Sequence, residues 1–135
     1  MYPKVDKIPP TPDSSEPFTP RDEYPRPILV RDQWQSLNGH WLFSVDPDNW
    51  VLTDAWFGGQ WADAQTITVP FSMESAASGI TEAEGAAVVW YQREVIKSEV
   101  WHSRIVLRVG ASDFLTRVFV NGQEVGQHRG GYASF

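Results

Sequence analysis

The chain of 135 residues contains no cysteine, which excludes a disulfide framework, a thiolate zinc site and a cysteine nucleophile, and fits a reducing compartment. Long apolar runs are also missing. No stretch approaches the roughly 18 residues needed to cross a bilayer, and Met1, Tyr2, Pro3, Lys4, Val5 and Asp6 provide no apolar core for a signal peptide. The expectation is a soluble, cytoplasmic protein with no membrane partner. Positive charge is scarce, 11 Lys plus Arg against 17 Asp plus Glu for a net charge of -6. Nucleic-acid backbones and anionic membranes both demand concentrated positive charge, so neither is expected as a partner. The three histidines, His40, His102 and His128, are too far apart for i, i+3 or i, i+4 pairing, which rules out a His-based metal site on one helix face. There is no Gly-x-Ser-x-Gly elbow and no phosphate-cradling glycine loop. No cofactor and no metal are expected, and stability has to come from a packed apolar core within a single domain.

What is present is unevenly distributed. Eight of the ten prolines fall in residues 1–27, where neither a period of 2 nor one of 3.6 survives, so this segment reads as an extended arm or linker ahead of a domain at residues 28–135. Charge is partitioned as well. Residues 28–87 carry Arg31 against eight carboxylates, 1 − 8 = −7, whereas residues 88–129 carry six basic groups against four acidic ones, 6 − 4 = +2. The acidic half is a solubility feature or a face for a cation, with solubility favoured.

From residue 28 the periodicity is mainly that of strands. A short helical turn is expected at residues 32–37, with Asp32 as N-cap and Gln35 completing a capping box. Trp41, Phe43 and Val45 then alternate with Leu42 and Ser44, and Ile67 and Val69 alternate with Thr66 and Thr68. Further alternating runs occupy residues 88–96, 104–109 and 114–120, and Asn121-Gly122 before Gln123-Glu124-Val125 predicts a type I′ hairpin, since both turn residues must take positive φ. Short strands without a crossover helix predict an all-β antiparallel sandwich or jelly roll.

Two stretches invite chemical readings. Asp46-Pro47-Asp48-Asn49 lacks the glycine and distal glutamate of a calcium loop and reads as an Asx turn. Among the seven tryptophans, Trp34, Trp41 and Trp90 lie in or beside strand patterns and are expected in the core. Trp50, Trp56 and Trp61 sit in a polar, glycine-containing stretch, where indole faces either stack on sugar rings or staple a loop onto the sandwich.

The order of motifs is distinctive: Trp34-Gln35-Ser36-Leu37-Asn38-Gly39-His40-Trp41-Leu42-Phe43, then Val69-Pro70-Phe71, then Val89-Trp90-Tyr91-Gln92-Arg93-Glu94-Val95, then Val118-Phe119-Val120-Asn121-Gly122-Gln123-Glu124-Val125-Gly126 and Gly130-Gly131-Tyr132. Together, over residues 24–135, they resemble the N-terminal sugar-binding domain of glycoside hydrolase family 2, the family of β-galactosidases, β-glucuronidases and β-mannosidases. The resemblance implies a jelly-roll, galactose-binding-domain-like sandwich that binds carbohydrate. In the family it precedes an immunoglobulin-like domain and a TIM barrel with two catalytic glutamates, which are the partners implied here. Retaining hydrolysis needs two carboxyl groups about 5 Å apart, and the family's acid/base glutamate follows an asparagine. Asn38, Asn49 and Asn121 precede Gly, Trp and Gly, so no catalytic residue is assigned and the chain by itself is expected to be inactive. The family's first domain continues beyond the position of Phe135, so the resemblance implies part of that domain, incomplete at its C-terminus, with an open edge near residues 114–126 available for self-association.

In the family a loop of this domain helps shape the sugar entrance. The matching stretch is residues 70–80, and within it Glu74 and Ser75 are the candidate substrate-binding residues. Arg93 is expected to pair with a carboxylate across the sheet, and Gly130 and Gly131 to serve backbone geometry. The alternatives are a stand-alone lectin-like module and a non-catalytic sandwich used for docking.

Overall fold

The structure, a computed structural model, describes residues 20–23, 28–46, 64–80, 83, 85–99 and 104–135. Strands β1 (Gly39–Val45), β2 (Gln65–Val69) and β3 (Val89–Gln92) form one antiparallel sheet in the order β2-β1-β3, and β4 (Leu115–Val120) and β5 (Gln123–Arg129) form a second, two-stranded one. The only helical element among the described residues is a 3-10 turn at Ala76–Ser78; no helix there is long and apolar enough to cross a membrane.

Register explains the core. In the first sheet Trp41 lies opposite Ile67, Phe43 opposite Tyr91 and Val45 opposite Val89. Directly opposed residues of an antiparallel pair share a face, so the alternation along β1 collects the apolar side chains of three strands on one side. There Phe43 and Ile67 are fully buried with Ile80, and Trp41, Val45, Val69, Met73, Ala83 and Val89 pack around them. On the other face Trp90 lies opposite Ser44. Its indole Nε1–H donates to buried Asp46 Oδ2 at 3.2 Å, and its ring approaches Phe119 of β4 to 5.8 Å between centroids. Through this contact the second sheet meets the first, giving the antiparallel β-sandwich that the strand spacing predicts.

The predicted hairpin is present. Asn121 and Gly122 take φ of 49° and 80°, the positive pair that a type I′ turn requires, and Val120 faces Gln123 across it. Val118 pairs with Gly126 and Phe119 with Glu124, which leaves Val125 as the extra residue of a β-bulge. Arg117 and Glu124 form an ion pair across the hairpin.

Three expectations change. Residues 32–37 do not form a helical turn; their path is set by tertiary anchors at Leu37, whose carbonyl accepts the Trp41 indole N–H at 2.6 Å and Arg93 Nη1 at 2.7 Å, and such contacts override weak local helix propensity. The strand expected at residues 88–96 is confined to Val89–Gln92: pairing with β1 ends at Leu42 and Gln92 although β1 runs on to Gly39, and Arg93, next in the chain, turns its side chain to the carbonyls of Leu37 and Asn38. Residues 104–109 form no ladder among the described residues; alternation alone does not make a strand without a neighbour. The end of this segment is tied to the C-terminal residues, Val109 by reciprocal backbone hydrogen bonds with Phe135 at 2.9 and 3.0 Å and Arg108 by a bond from Nη2 to Ser134 Oγ at 2.7 Å. Val106 is accordingly 64% exposed. Part of the proline-rich arm is also anchored: Asn38 Nδ2 donates to the carbonyls of Pro20 at 3.1 Å and Arg21 at 2.9 Å, and Pro20 is fully buried.

Since Phe43 is the largest fully buried side chain among the described residues, Phe43→Ala is expected to remove roughly 3–5 kcal/mol, a large share of the ~5–15 kcal/mol that holds a domain folded. Urea unfolding followed by tryptophan fluorescence would show a markedly lower midpoint or no transition. An unchanged midpoint would place the core elsewhere.

Candidate functional site

After β2 the chain turns sharply, with Phe71 N–H donating to Thr68 O at 3.1 Å and Ser75 N–H to Ser72 O at 2.9 Å. Ser75 caps the 3-10 turn, its Oγ accepting from Ala77 N–H at 3.3 Å, and Gly79 closes it with φ 82° in the left-handed region. A serine N-cap and a glycine C-cap are what such a turn calls for. Ser78 is completely buried, and its hydroxyl donates to Met73 O at 3.4 Å while accepting Ile80 N–H at 3.1 Å. Met73 and Ile80 on either side pack into the Phe43 core. The loop is thus fastened at both ends, and Glu74 is carried exposed on its outer surface.

Both residues singled out from the sequence lie on this fastened segment. Glu74 presents only acceptor oxygens, whereas the Ser75 hydroxyl, whose oxygen is engaged with Ala77, keeps its hydrogen to donate. Sequence reasoning missed Tyr91. Its ring meets Phe43 edge-on, with centroids 5.3 Å apart at 74°, and it remains 40% exposed. Its phenol titrates above its ordinary value, first because burial penalises the phenolate and second because the Glu74 carboxylate lies near it. The loop that carries Glu74 and the strand that carries Tyr91 thus both pack on the core around Phe43. The alternation of residues 88–96 placed Tyr91 on a face with Val89, but which loop meets that face depends on the fold.

The remaining candidates separate. Arg93 does not pair with a carboxylate: its Nη1 donates to the main-chain carbonyls of Leu37 at 2.7 Å and Asn38 at 2.8 Å, near the Trp41 ring. Asp46, the first residue of the Asx-turn stretch, is committed to Trp90. Of the three tryptophans expected in the core, Trp41 packs against it half-buried, Trp90 is half-buried on the opposite face and Trp34 is 38% exposed. Trp50, Trp56 and Trp61, with residues 47–49, lie outside the described residues. A Cβ added at Gly131 would sit 2.7 Å from Asp113 Oδ1, so this glycine serves close packing. Among the described residues no three His, Asp or Glu side chains gather as a metal site would need. Glu74 is the one carboxylate in residues 64–80, so the described part of this loop offers hydrogen bonds to hydroxyl groups and holds one carboxylate where a retaining glycosidase needs two.

Comparison with known proteins agrees with this chemistry. Residues 34–135 match the family model for the sugar binding domain of glycosyl hydrolases family 2. A β-glucuronidase of Paenibacillus borealis is 30% identical over 113 residues, covering 83% of this chain and 19% of that protein. Human β-glucuronidase is 31% identical over 125 residues, with the same shares. Among solved structures, a Ruminococcus gnavus β-glucuronidase in complex with C6-substituted uronic isofagomine superposes with a TM-score of 0.66 at 26% identity, covering 84% of this chain and 20% of that one. A Faecalibacterium prausnitzii β-glucuronidase gives a TM-score of 0.59 at 30% identity, covering 79% of this chain and 19% of that one. The chain spans about a fifth of the length of these relatives.

The proximity of Glu74 and Tyr91 has a measurable consequence. The folded phenol keeps its proton to higher pH than the unfolded value of 10.0, so the stability it contributes is present below that pH and is lost as pH rises through the folded value. Glu74→Gln removes the second cause and leaves the first. The Tyr91 midpoint, followed by NMR of the ring carbons, is expected to fall toward 10 without reaching it; an unmoved midpoint would separate the two groups.

Proposed function

Because this chain belongs to the family 2 glycosyl hydrolases as their sugar-binding domain, we propose that it holds one side of a β-linked glycoside for a β-glycosidase whose catalytic carboxylates lie in other domains. The observation that carries the reading is the match over residues 34–135, which takes in strands β1 to β5 and the loop bearing Glu74 and Ser75. In this reading Glu74 accepts, and Ser75 donates, hydrogen bonds to sugar hydroxyls. The partners are the immunoglobulin-like and TIM-barrel domains of the family, and the names of the relatives favour a β-glucuronide among the substrates of the whole enzyme. The zero cysteine count supports a cytoplasmic setting.

The surface supports docking as a second role for the same domain. Ile28, Ile96, Val106, Phe114 and Val125 are all more than half exposed, and large apolar side chains in such number mark surfaces that other protein covers. In their absence the open edge of the β4–β5 hairpin is where self-association would occur.

A loop that forms one wall of a sugar site contributes little affinity alone. Isothermal titration of this chain with methyl β-D-glucuronide or methyl β-D-galactoside is expected to give dissociation constants of about 1 mM or weaker, near 4 kcal/mol. Aryl β-glycosides incubated with the pure chain are expected to stay intact. Micromolar binding would favour a stand-alone lectin, and hydrolysis abolished by substituting a single Asp or Glu of this chain would refute the non-catalytic assignment.

A further inference from the structure

We propose that residues 104–109 are a docking edge that takes one extended, acidic segment of polypeptide as an added antiparallel strand, supplied by the further domains of the β-glycosidase. The inference rests on the reading of this chain as one domain of such an enzyme, and adds to it a surface, a register and a partner chemistry.

The first rung of the ladder is in place. Val109 and Phe135 exchange both backbone hydrogen bonds, at 2.9 and 3.0 Å, which is the closed pair of an antiparallel ladder. The segment carrying Phe135 is held there by side chains as well: the Phe135 ring stacks on His128 with centroids 4.3 Å apart at 14°, and Arg108 Nη2 donates to Ser134 Oγ at 2.7 Å. Closed pairs recur at every second residue, so along the same edge the next two fall at Leu107 and Ile105. Neither is made: among the described residues no backbone hydrogen bond joins residues 104–108 to another segment. Ile105, Val106 and Leu107 are 54%, 64% and 44% exposed. Free N–H and C=O groups flanked by uncovered apolar side chains are a template for strand addition.

Charge selects the occupant. Strand alternation sets Arg104, Val106 and Arg108 on one face and Ile105, Leu107 and Val109 on the other. Arg104 and Arg108 are exposed, neither forms an ion pair among the described residues, and residues 104–109 contain no carboxylate. Directly opposed residues share a face. A strand laid along this edge next to the Phe135 rung therefore presents its first and fifth residues to Arg108 and Arg104, and its second and fourth to Leu107 and Ile105. Carboxylates at the first pair of positions and apolar side chains at the second complement the edge. A second copy of the chain does not: the longest self-pairing that keeps the Val109–Phe135 rung sets residues 104–108 against themselves and puts each Arg104 opposite an Arg108, where like charges destabilise. The relatives, more than four times as long as this chain, hold the further polypeptide that can supply the strand.

The test compares the full chain as it is with three versions carrying a short extension after Phe135: Glu-Val-Thr-Val-Glu, Lys-Val-Thr-Val-Lys or Gly-Ser-Gly-Ser-Gly. Tethering presents each segment at high effective concentration, and amide hydrogen exchange is read residue by residue by NMR. The acidic version is expected to slow exchange at Ile105 and Leu107 by roughly tenfold or more over the Gly-Ser version, with Val106 and Arg108, whose amides face the opposite edge, changed little. The basic version is expected to protect several-fold less than the acidic one, with the difference shrinking at high salt. Equal exchange in the acidic and Gly-Ser versions would overturn the docking edge, and equal protection by acidic and basic strands would overturn its charge selectivity. Protection of Ile105 and Leu107 that rises with concentration in the unextended chain would assign the edge to a second copy and refute the proposal. A chain that binds no glycoside in calorimetry loses the sugar-binding reading but not this edge, because exchange at Ile105 and Leu107 reads strand pairing alone.

Discussion

Phe43 occupies a position that three other parts of the molecule depend on. It sits on the central strand of the first sheet, completely buried, with Ile67 and Ile80 beside it in the same cluster and the edge of Tyr91 against its ring. The cluster that excludes water from Phe43 therefore also sets the path of the loop through Met73 and Ile80 and the orientation of the Tyr91 phenol. Core stability and site geometry are coupled here. A side chain that relaxed the packing of Phe43 would shift Glu74 relative to Tyr91 without touching either, because close-packed interiors transmit displacement.

Polar groups solve a different problem at the entry to this sheet. The carbonyls of Leu37 and Asn38 precede β1 and find no strand or helix partner. Arg93 satisfies both, and Trp41 adds a second donor to Leu37. Hydrogen bonds to a charged donor are stronger than neutral ones, and unpaired carbonyls here would cost on the order of 1–3 kcal/mol each. Asn38 in turn holds the carbonyls of Pro20 and Arg21. One guanidinium thus organises the segment before β1, and Asn38 extends the arrangement to part of the proline-rich arm.

The second sheet shows how much of this fold depends on contacts made at the sandwich surfaces. A two-stranded hairpin is marginal by itself, and β4–β5 joins the first sheet through Trp90 and Phe119. Apolar side chains at Ile105, Val106 and Leu107 face solvent although their pattern is that of a half-buried strand. These relatives are more than four times as long as this chain. Surfaces left open here are the ones on which contact with further protein would have the largest energetic effect.

Much of the architecture was determined by local sequence. The alternation Trp41, Phe43, Val45 placed a strand with its buried face, Asn121-Gly122 dictated the hairpin because few residues accept positive φ twice in succession, and the ordered motifs from Trp34 to Tyr132 carried the family. Glu74 and Ser75 were legible as a candidate pair because they follow Val69-Pro70-Phe71 in a polar loop. Other features were decided only in three dimensions. Residues 104–109 have the strand pattern but no ladder, because a strand is a property of two segments and the pattern reports one. Arg93 binds carbonyls instead of a carboxylate, a choice made by which unsatisfied groups the fold left within its reach. Tyr91 stands near Glu74, 17 positions away in the chain, because Phe43 gathers the loop and β3 onto one core, and no periodicity within either segment encodes that meeting.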